Sequence, residues 1–306
     1  MRIVLTVDGP LDISKTLARY RLWGEDPANR LVGDTFLRVR RAADRLWPYT
    51  VRGVGPVDAA ALVVEIPGAR SVRVSDGVAA EVRRIFGLDF DLSEFYRMAK
   101  SDPTLAALIE PLYGLRPTVT PCPLEMLVGA ISAQQVNLAF AFALRARLVR
   151  RYGEAVCLDG ETVHAFPSAA ALAGSRISTL RAMQFSTRKA EYIRELARAV
   201  VSGALDLGGM LDAPSARVIE LITAQRGLGR WTADWFLARG LGRGDVCPAG
   251  DLAVRKAFAR SHPRGRSLSE RAIRRRASAW GPHQTVAVHY LLAGLRLGRP
   301  EAGGGT

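Results

Sequence analysis

The sequence predicts an α+β fold that is mostly helical, with an antiparallel β-sheet lobe at the N-terminus followed by an all-helical body. Up to residue 90, short runs of β-branched and aromatic residues alternate with Gly, Pro, Asn and Asp clusters, and from Asp91 onward apolar residues recur at helical spacing. The 306 residues are 48% hydrophobic, enough for proper cores. We therefore expect a β-rich domain over 1–90, a helical domain over 91–300 and a disordered Gly-rich tail over 301–306.

The N-terminal lobe is built from short predicted strands, which are residues 2–7, 20–23, 35–39, 49–54 and 61–66. Turn-forming clusters such as 24–29 separate them, which is typical of hairpins. A helix over 77–86, apolar at Val78, Val82 and Ile85, is expected to pack on one face of the sheet.

The body is predicted to be helical almost throughout. Its predicted helices cover residues 92–100, 103–113, 124–133, 138–152, 168–173, 175–183, 187–202, 214–225, 230–239, 252–260, 269–280 and 284–297. Ser267 with Glu270 three residues later forms a capping-box pattern at the start of the penultimate helix.

The charge of the chain points to a polyanionic partner. Forty-three Lys and Arg residues against 29 Asp and Glu give a net charge of +14, and nucleic acid is the commonest polyanion that a basic protein binds. A membrane surface would need a basic amphipathic terminal helix, which neither end shows. No apolar run approaches the roughly 20 residues that span a bilayer, so we expect no membrane partner.

The first residues do not resemble a signal peptide, because Asp8 and Asp12 interrupt the apolar stretch early. We therefore expect a cytoplasmic protein, associated with the nucleoid of a bacterium. The three cysteines, Cys122, Cys157 and Cys247, are far apart and form no C-x-x-C pair, so we expect neither a disulfide framework nor a zinc or iron–sulfur site.

The most informative stretch is a predicted helix, hairpin and helix over residues 221–235. The first helix ends at Gln225, the turn contains Gly227 and Gly229, and the second helix begins near Arg230. Such a helix start presents free backbone N–H groups that bind phosphate, and glycines allow positive φ and close approach of a DNA backbone. An ordinary corner between two helices with a glycine cap is the alternative for an isolated G-x-G.

This element resembles the helix-hairpin-helix of the HhH-GPD DNA glycosylase superfamily. Asp251 lies 20 residues after Trp231, as the family's catalytic aspartate does, and the loop over 240–251 is similar to that of the alkylation-repair branch, the 3-methyladenine DNA glycosylase II type. The resemblance implies that Asp251 is catalytic. A role as the N-cap of the helix that follows is the alternative, and the two roles are compatible.

Three further segments resemble the same family. Residues 127–136 are similar to the segment that faces the DNA gap, which implies Gln134 in the base pocket and Gln135 as the wedge, although the family's wedge is usually apolar. Residues 185–193 look like its Arg/Lys-Ala turn. Residues 279–287 look like its closing W-x-P helix, with His283 where an aromatic residue of the pocket is frequent.

The resemblance also implies a monofunctional enzyme. Trp231 stands where glycosylase/lyases of this superfamily place the lysine that attacks the sugar, and the four cysteines of the iron–sulfur branch are absent from this sequence. Asp251 would stabilise the positive charge that develops on the deoxyribose and orient the attacking water. Trp231 and Trp235 lie at i and i+4, so both could stack on a flipped cationic base; an aromatic core stripe is the alternative.

Contacts to DNA are expected from the wedge and the hairpin, namely Gln135, Gly227, Leu228, Gly229, Arg230 and Thr232. In this family the carbonyls of the hairpin, here those of Thr223, Gln225 and Leu228, can surround a structural Na⁺ or K⁺ ion. We expect no other cofactor. The predicted partner is double-stranded DNA with damaged bases, bound by a monomer.

Two alternatives keep the DNA partner but change the function. The first is a glycosylase for oxidised or deaminated purines, 8-oxoguanine or hypoxanthine, because residues 92–116 also resemble the 8-oxoguanine branch; Trp231 in the lysine position opposes it. The second is a non-catalytic helix-hairpin-helix protein. Asp251 opposes that interpretation, since binding a polyanion gives no reason to place a carboxylate there.

Overall fold

The computed structural model describes residues 1–42, 45–260 and 267–297. The predicted tail over 301–306 lies outside these ranges. Within them, no helix is both long enough and apolar enough to cross a membrane.

The N-terminal lobe contains the predicted antiparallel sheet. Its strands are β1 (Arg2–Thr6), β2 (Arg30–Val32), β3 (Thr35–Ala42), β4 (Arg45–Val54) and β5 (Ala61–Glu65), in the spatial order β1-β5-β4-β3-β2. Alternate residues of the strands, such as Phe36, Val51 and Leu62, are buried against Val78 and Val82. Those two valines belong to helix α3 (Val72–Ile85), which begins five residues earlier than predicted.

The predicted strand over 20–23 is wrong. The chain there forms two short helices, α1 (Ile13–Leu17) and α2 (Arg19–Leu22), and Asp12 caps the first by accepting the Lys15 N–H at 2.9 Å. Leu17 and Tyr20 are both buried in the lobe's core. Ala18 between the two helices keeps a helical backbone, so a spacing of three places both side chains on the same face.

Helices make up most of the body, as predicted. They are α4 (Leu92–Ala99), α5 (Pro103–Ile109), α6 (Pro123–Ala133), α7 (Leu138–Tyr152), α8 (Ala169–Ala173), α9 (Ile177–Ala182), α10 (Thr187–Val201), α11 (Ser215–Thr223), α12 (Arg230–Trp235), α13 (Leu252–Arg260), α14 (Glu270–Ser278) and α15 (Gln284–Gly294). A π-helical segment, Phe236–Leu241, continues α12, and Gly242 ends it with φ 77°. The body surrounds one large apolar core.

Two details of the body differ from expectation. A β-hairpin of β6 (Ala155–Leu158) and β7 (Glu161–His164) interrupts the helices, and its side chains join those of β3 in a small apolar cluster. Helix α14 is capped by Ser269, not Ser267: the Ser269 Oγ accepts the Ala272 N–H at 3.3 Å.

A buried network of charges connects the two lobes. Arg38 of β3 donates to Glu81 of α3 and to Glu125 of α6, both at 2.7 Å. Arg145 of α7 donates to Glu125 at 2.9 Å and to Asp26 at 3.0 Å. Burial raises the pKa of Glu125, but the two guanidinium groups outweigh it and lower this pKa to about 2. Glu125 is therefore a buried carboxylate whose ionised form the network stabilises.

The predicted division of the chain falls between α3, which ends at Ile85, and α4, which begins at Leu92. Because the network joins residues from both sides, the two lobes share a buried polar interface. The division into domains 1–90 and 91–300 stays a prediction.

Candidate active site

Asp251 lies at the end of the loop over 242–251, immediately before α13. Its Oδ1 accepts the backbone N–H groups of Ala253 at 2.8 Å and Val254 at 3.1 Å. These belong to the first turn of the helix, where N–H groups have no partner inside the helix itself. The side chain is therefore held in place as an N-cap.

The second carboxylate oxygen of Asp251 faces two indoles. Oδ2 accepts the Nε1–H of Trp231 at 2.8 Å and that of Trp235 at 3.1 Å. The two tryptophans are four residues apart on α12, so one helical face supplies both donors. All four donors are neutral, and within the described ranges no Lys or Arg forms an ion pair with Asp251. Its negative charge is thus oriented without being neutralised by a salt bridge.

This carboxylate lines a cavity of about 250 Å³. Trp231 and Trp235 line the same cavity, and α6 contributes the small residues Gly129, Ala130 and Ala133. Pockets for drug-sized ligands usually enclose about 300–1,000 Å³, so this cavity is of a size for one ring system.

The hairpin between α11 and α12 uses its two glycines differently. Gly227 has φ 82°, and a Cβ there would lie 2.2 Å from the Tyr192 ring. Gly229 has φ −113° and would accept a Cβ with no atom within 4 Å. Gly227 is therefore needed for the turn itself, whereas Gly229 leaves open space beside the start of α12.

The residues after α6, 134–137, form a loop that we call the wedge loop. Gln135 is exposed and has φ 54°, an unusual value for a residue other than glycine. Gln134 Nε2 donates to the Gly227 carbonyl at 2.7 Å, and the buried Lys189 Nζ donates to the Ser132 carbonyl at 2.9 Å. The wedge loop is thus joined to the hairpin and supported from α10.

Residues 128–283, just over half of the chain, match the family model of HhH-GPD superfamily base excision DNA repair proteins. The chain belongs to this superfamily. It is 30% identical to a DNA-3-methyladenine glycosylase of Bacillus subtilis over 206 residues, which is 67% of this chain and 68% of the relative.

Solved structures agree with this membership. A 3-methyladenine DNA glycosylase from Archaeoglobus fulgidus has a TM-score of 0.85 and 25% identity, and the match covers 98% of this chain and 99% of that one. A Schizosaccharomyces pombe 3-methyladenine DNA glycosylase in complex with abasic DNA has a TM-score of 0.59 and covers 67% of this chain and 98% of that one. At 24% identity the second likeness shows the fold alone.

Within this HhH-GPD fold, several predicted DNA contacts need refinement. Thr232 is 1% exposed and Leu228 5%, so neither residue presents appreciable surface to DNA. Arg230 is half exposed, and its Nε donates to the buried Asp234 at 2.8 Å. The terminal nitrogens of Arg230 have no partner among the described residues, so they are available to a phosphate.

Two residues predicted to lie in the base pocket do not line this cavity. His283 does not line the cavity; its ring lies 6.3 Å from that of Phe95, centroid to centroid. Gln134 does not line it either, because its amide is directed to the Gly227 carbonyl. Both predictions rest on resemblance, which fixes a place along the chain and leaves the side-chain direction open.

Sequence reasoning missed Arg239 and Arg19, which both line the cavity. Arg239 could have been found, because the predicted helix over 230–239 places Trp231, Trp235 and Arg239 at i, i+4 and i+8 on one face. Arg19 comes from α2 of the other lobe, and no pattern in the sequence connects it to the hairpin.

Proposed function

We propose that this protein is a monofunctional DNA glycosylase of base excision repair, which flips alkylated bases such as 3-methyladenine and 7-methylguanine out of double-stranded DNA and releases them by hydrolysis. The observation that carries the proposal is the Asp251 carboxylate, held by two indole N–H groups at the wall of a base-sized cavity. The relatives named 3-methyladenine glycosylases support the substrate class. The match to base excision DNA repair proteins and the charge of +14 support DNA as the partner.

The chemistry is the rupture of the bond between the sugar C1′ and the base nitrogen. The bonding electrons leave with the base, and positive charge develops on the deoxyribose. Asp251 stabilises that charge and orients a water molecule, whose oxygen forms the new bond to C1′ and whose proton passes to the carboxylate or to solvent. A base that is already cationic leaves as a neutral molecule and needs no general acid.

The monofunctional assignment rests on where the lysines are. Trp231 occupies the position that a lyase nucleophile would take, and its indole donates to Asp251. All four lysines of the chain lie in the described ranges, and none of them lines the cavity. No amine is therefore at hand to form a Schiff base with the sugar.

We propose that duplex DNA is held by backbone groups of the hairpin and by Arg230, with Gln135 filling the gap that the flipped base leaves. Open space at Gly229 lets a phosphate approach the start of α12. All of these groups come from one chain, so the reaction needs only a monomer.

The hairpin carbonyls of Thr223, Gln225 and Leu228 are of the right chemistry for Na⁺ or K⁺, since both ions prefer neutral oxygen ligands. The Gln225 carbonyl accepts the Leu228 N–H at 3.1 Å, and no described residue outside the helices donates to the Thr223 or Leu228 carbonyl. We propose that a monovalent ion bound there would help to hold a phosphate.

The test is release of bases from methylated duplex DNA by the wild type and by Asp251→Asn. We expect the variant to lose at least about 100-fold in single-turnover release of 3-methyladenine, the size typical for losing one charge-stabilising group. Because Asp251 also caps α13, circular dichroism and binding to abasic DNA are measured alongside. Release at the wild-type rate by the folded variant contradicts the mechanism.

Borohydride trapping on the same DNA tests the monofunctional assignment. The expected result is no covalent complex for the wild type. A stable protein–DNA adduct would show a Schiff base and would replace hydrolysis by a lyase mechanism.

A further inference from the structure

Three arginines that line the candidate base cavity form no ion pair with a carboxylate within the described ranges. They are Arg19, Arg239 and Arg296. Arg145 also lines the cavity, but it belongs to the buried charge network. Arg19 and Arg239 share one neutral partner, the Thr118 hydroxyl, to which they donate at 3.3 and 3.1 Å. None of these three arginines is therefore neutralised by a direct salt bridge, although the Asp251 carboxylate, which lines the same cavity, acts on Arg239 at longer range.

Arg239 is partly buried, whereas Arg296 is exposed. Its Nε is buried and has no hydrogen-bond acceptor. Burial, and next the positive charge of Arg19, lower its pKa well below the usual value, although a guanidinium keeps its proton in proteins. The neighbouring His289 has a buried Nε2 without a partner, and burial with the charge of Arg239 lowers its pKa well below the usual range. His289 is therefore neutral and does not compensate the charge.

The guanidinium of Arg239 also lies 5.7 Å from the ring of Trp235. A cationic base that stacked on this tryptophan would meet a positive charge that is already there. A neutral base would not be repelled by the guanidinium of Arg239. When its bond to the sugar breaks without protonation, it departs as an anion, and nearby guanidiniums stabilise that anion.

We propose that Arg239 is a catalytic residue for neutral bases: it donates a hydrogen bond to a carbonyl oxygen of the flipped base and stabilises the negative charge of that base as it leaves. Arg19 and Arg296 add positive charge to the same wall. This inference rests on the proposed glycosylase function. It makes Arg239 the residue that determines the preference between neutral and cationic damaged bases.

The step balances without a general acid. The C1′–N bond breaks, its electron pair passes to the base, and the negative charge spreads onto the carbonyl oxygen that faces Arg239. Water adds to C1′ as in the main mechanism, and the base anion takes up a proton from solvent after release. Asp251 acts on the sugar and Arg239 on the leaving group, so their roles do not overlap.

Two substrates separate these roles. Hypoxanthine in duplex DNA is neutral and carries a carbonyl oxygen, whereas 3-methyladenine is cationic and carries none. We expect the wild type to release both. Arg239→Gln is expected to lower single-turnover release of hypoxanthine about 100-fold and to lower 3-methyladenine release much less, so that the ratio of the two rates falls at least about tenfold. Arg239→Lys, which keeps the charge, is expected to retain part of the hypoxanthine activity.

Arg217→Gln is the matched control, because Arg217 is an exposed arginine of α11 paired with Glu220, and neither rate should change. Arg296→Gln, at the exposed mouth of the cavity, is the second variant, and it should lower hypoxanthine release in the same direction by a smaller factor. It keeps the proposal testable if Arg239→Gln does not fold.

Several outcomes would overturn the inference. An equal loss of both activities in folded Arg239→Gln would make Arg239 structural. Unchanged hypoxanthine release would remove it from the reaction. A wild type that releases 3-methyladenine but no hypoxanthine refutes this inference and leaves the proposed function standing, whereas release of neither base refutes the proposed function itself.

Discussion

At the scale of single residues, the two hairpin glycines differ in backbone conformation and in the space around them. Gly227 is constrained by its own left-handed backbone and by the Tyr192 ring, which leaves no room for a Cβ, so the fold needs it. Gly229 has an ordinary φ and empty space around it. Gly229 is the N-cap of α12, a position that glycine suits, and its missing side chain also leaves room for an incoming DNA backbone.

A pair of alanine substitutions tests this difference. Gly227→Ala should destabilise the protein by about 1–3 kcal/mol, because a left-handed backbone and a clash act together. Gly229→Ala should leave the free energy of unfolding within about 0.5 kcal/mol of the wild type and weaken duplex binding. Urea unfolding and a DNA titration measure the two effects. Equal stability losses, or full DNA affinity in Gly229→Ala, would contradict the assignment.

The sequence identifies Asp251 as a candidate catalytic residue through its spacing of 20 residues from Trp231. It cannot indicate what the carboxylate touches. The spacing of Trp231 and Trp235 predicts stacking platforms, and the structure shows that both also donate to Asp251. Arg19 reaches the cavity from another lobe, a proximity that depends on tertiary packing alone.

At the scale of elements, the wedge loop and the hairpin form one unit. Gln134 joins the loop to the hairpin through the Gly227 carbonyl, and Lys189 of α10 supports the end of α6 through the Ser132 carbonyl. Burial lowers the pKa of Lys189. A buried ammonium held by a backbone carbonyl is suited to positioning the loop.

Lys189→Met should remove this support while filling a similar volume. We expect the release of a damaged base that faces its usual pairing partner to fall about tenfold, because a displaced wedge loop makes flipping of that base harder. A mismatch opposite the lesion lowers the cost of flipping and should restore most of the activity, which a general structural defect would not allow. Lys100→Met, at an exposed lysine after α4, serves as the control. Without rescue by the mismatch, the positioning role is refuted.

The elements that sequence reasoning missed are short ones. The β6–β7 hairpin turns at Asp159 and Gly160, both with positive φ. Asp-Gly is a recognised hairpin signal, but the neighbouring segments on both sides have helical patterns, so no hairpin is predicted there. Residues 20–23 have the aromatic composition of a strand, yet burial of Leu17 and Tyr20 on one face decides for helix. Long periodic helices such as α7 and α10 agree closely with prediction because many turns repeat the same pattern.

At the scale of the whole molecule, the buried charge network joins the sheet lobe to the helical body. Glu125 accepts from Arg38 and Arg145, and all three are largely buried. Removing one partner of such a group leaves charges buried without compensation, which costs about 3–5 kcal/mol. The relative placement of the lobes, and hence of Arg19 beside the cavity, depends on this network.

Glu125→Gln should therefore lower the free energy of unfolding by about 3 kcal/mol at pH 7, whereas Glu220→Gln, in an exposed pair, should cost less than about 0.5 kcal/mol. The pKa of Glu125 is about 2 in the fold against 4.5 for a free side chain. A lowered pKa stabilises the fold above the unfolded value and loses this effect as the pH falls. The difference between wild type and Glu125→Gln should thus shrink between pH 4.5 and 2, and a constant difference in denaturation curves would contradict it.

The two oxygens of Asp251 serve different parts of the molecule, one the first turn of α13 and the other the indoles of α12. Selection for a folded protein and selection for the proposed repair activity therefore act on the same position. Consider a library of random substitutions that is screened only for folded protein, with no DNA damage applied. Asp251 should be retained in that library more often than other surface-accessible Asp and Glu residues.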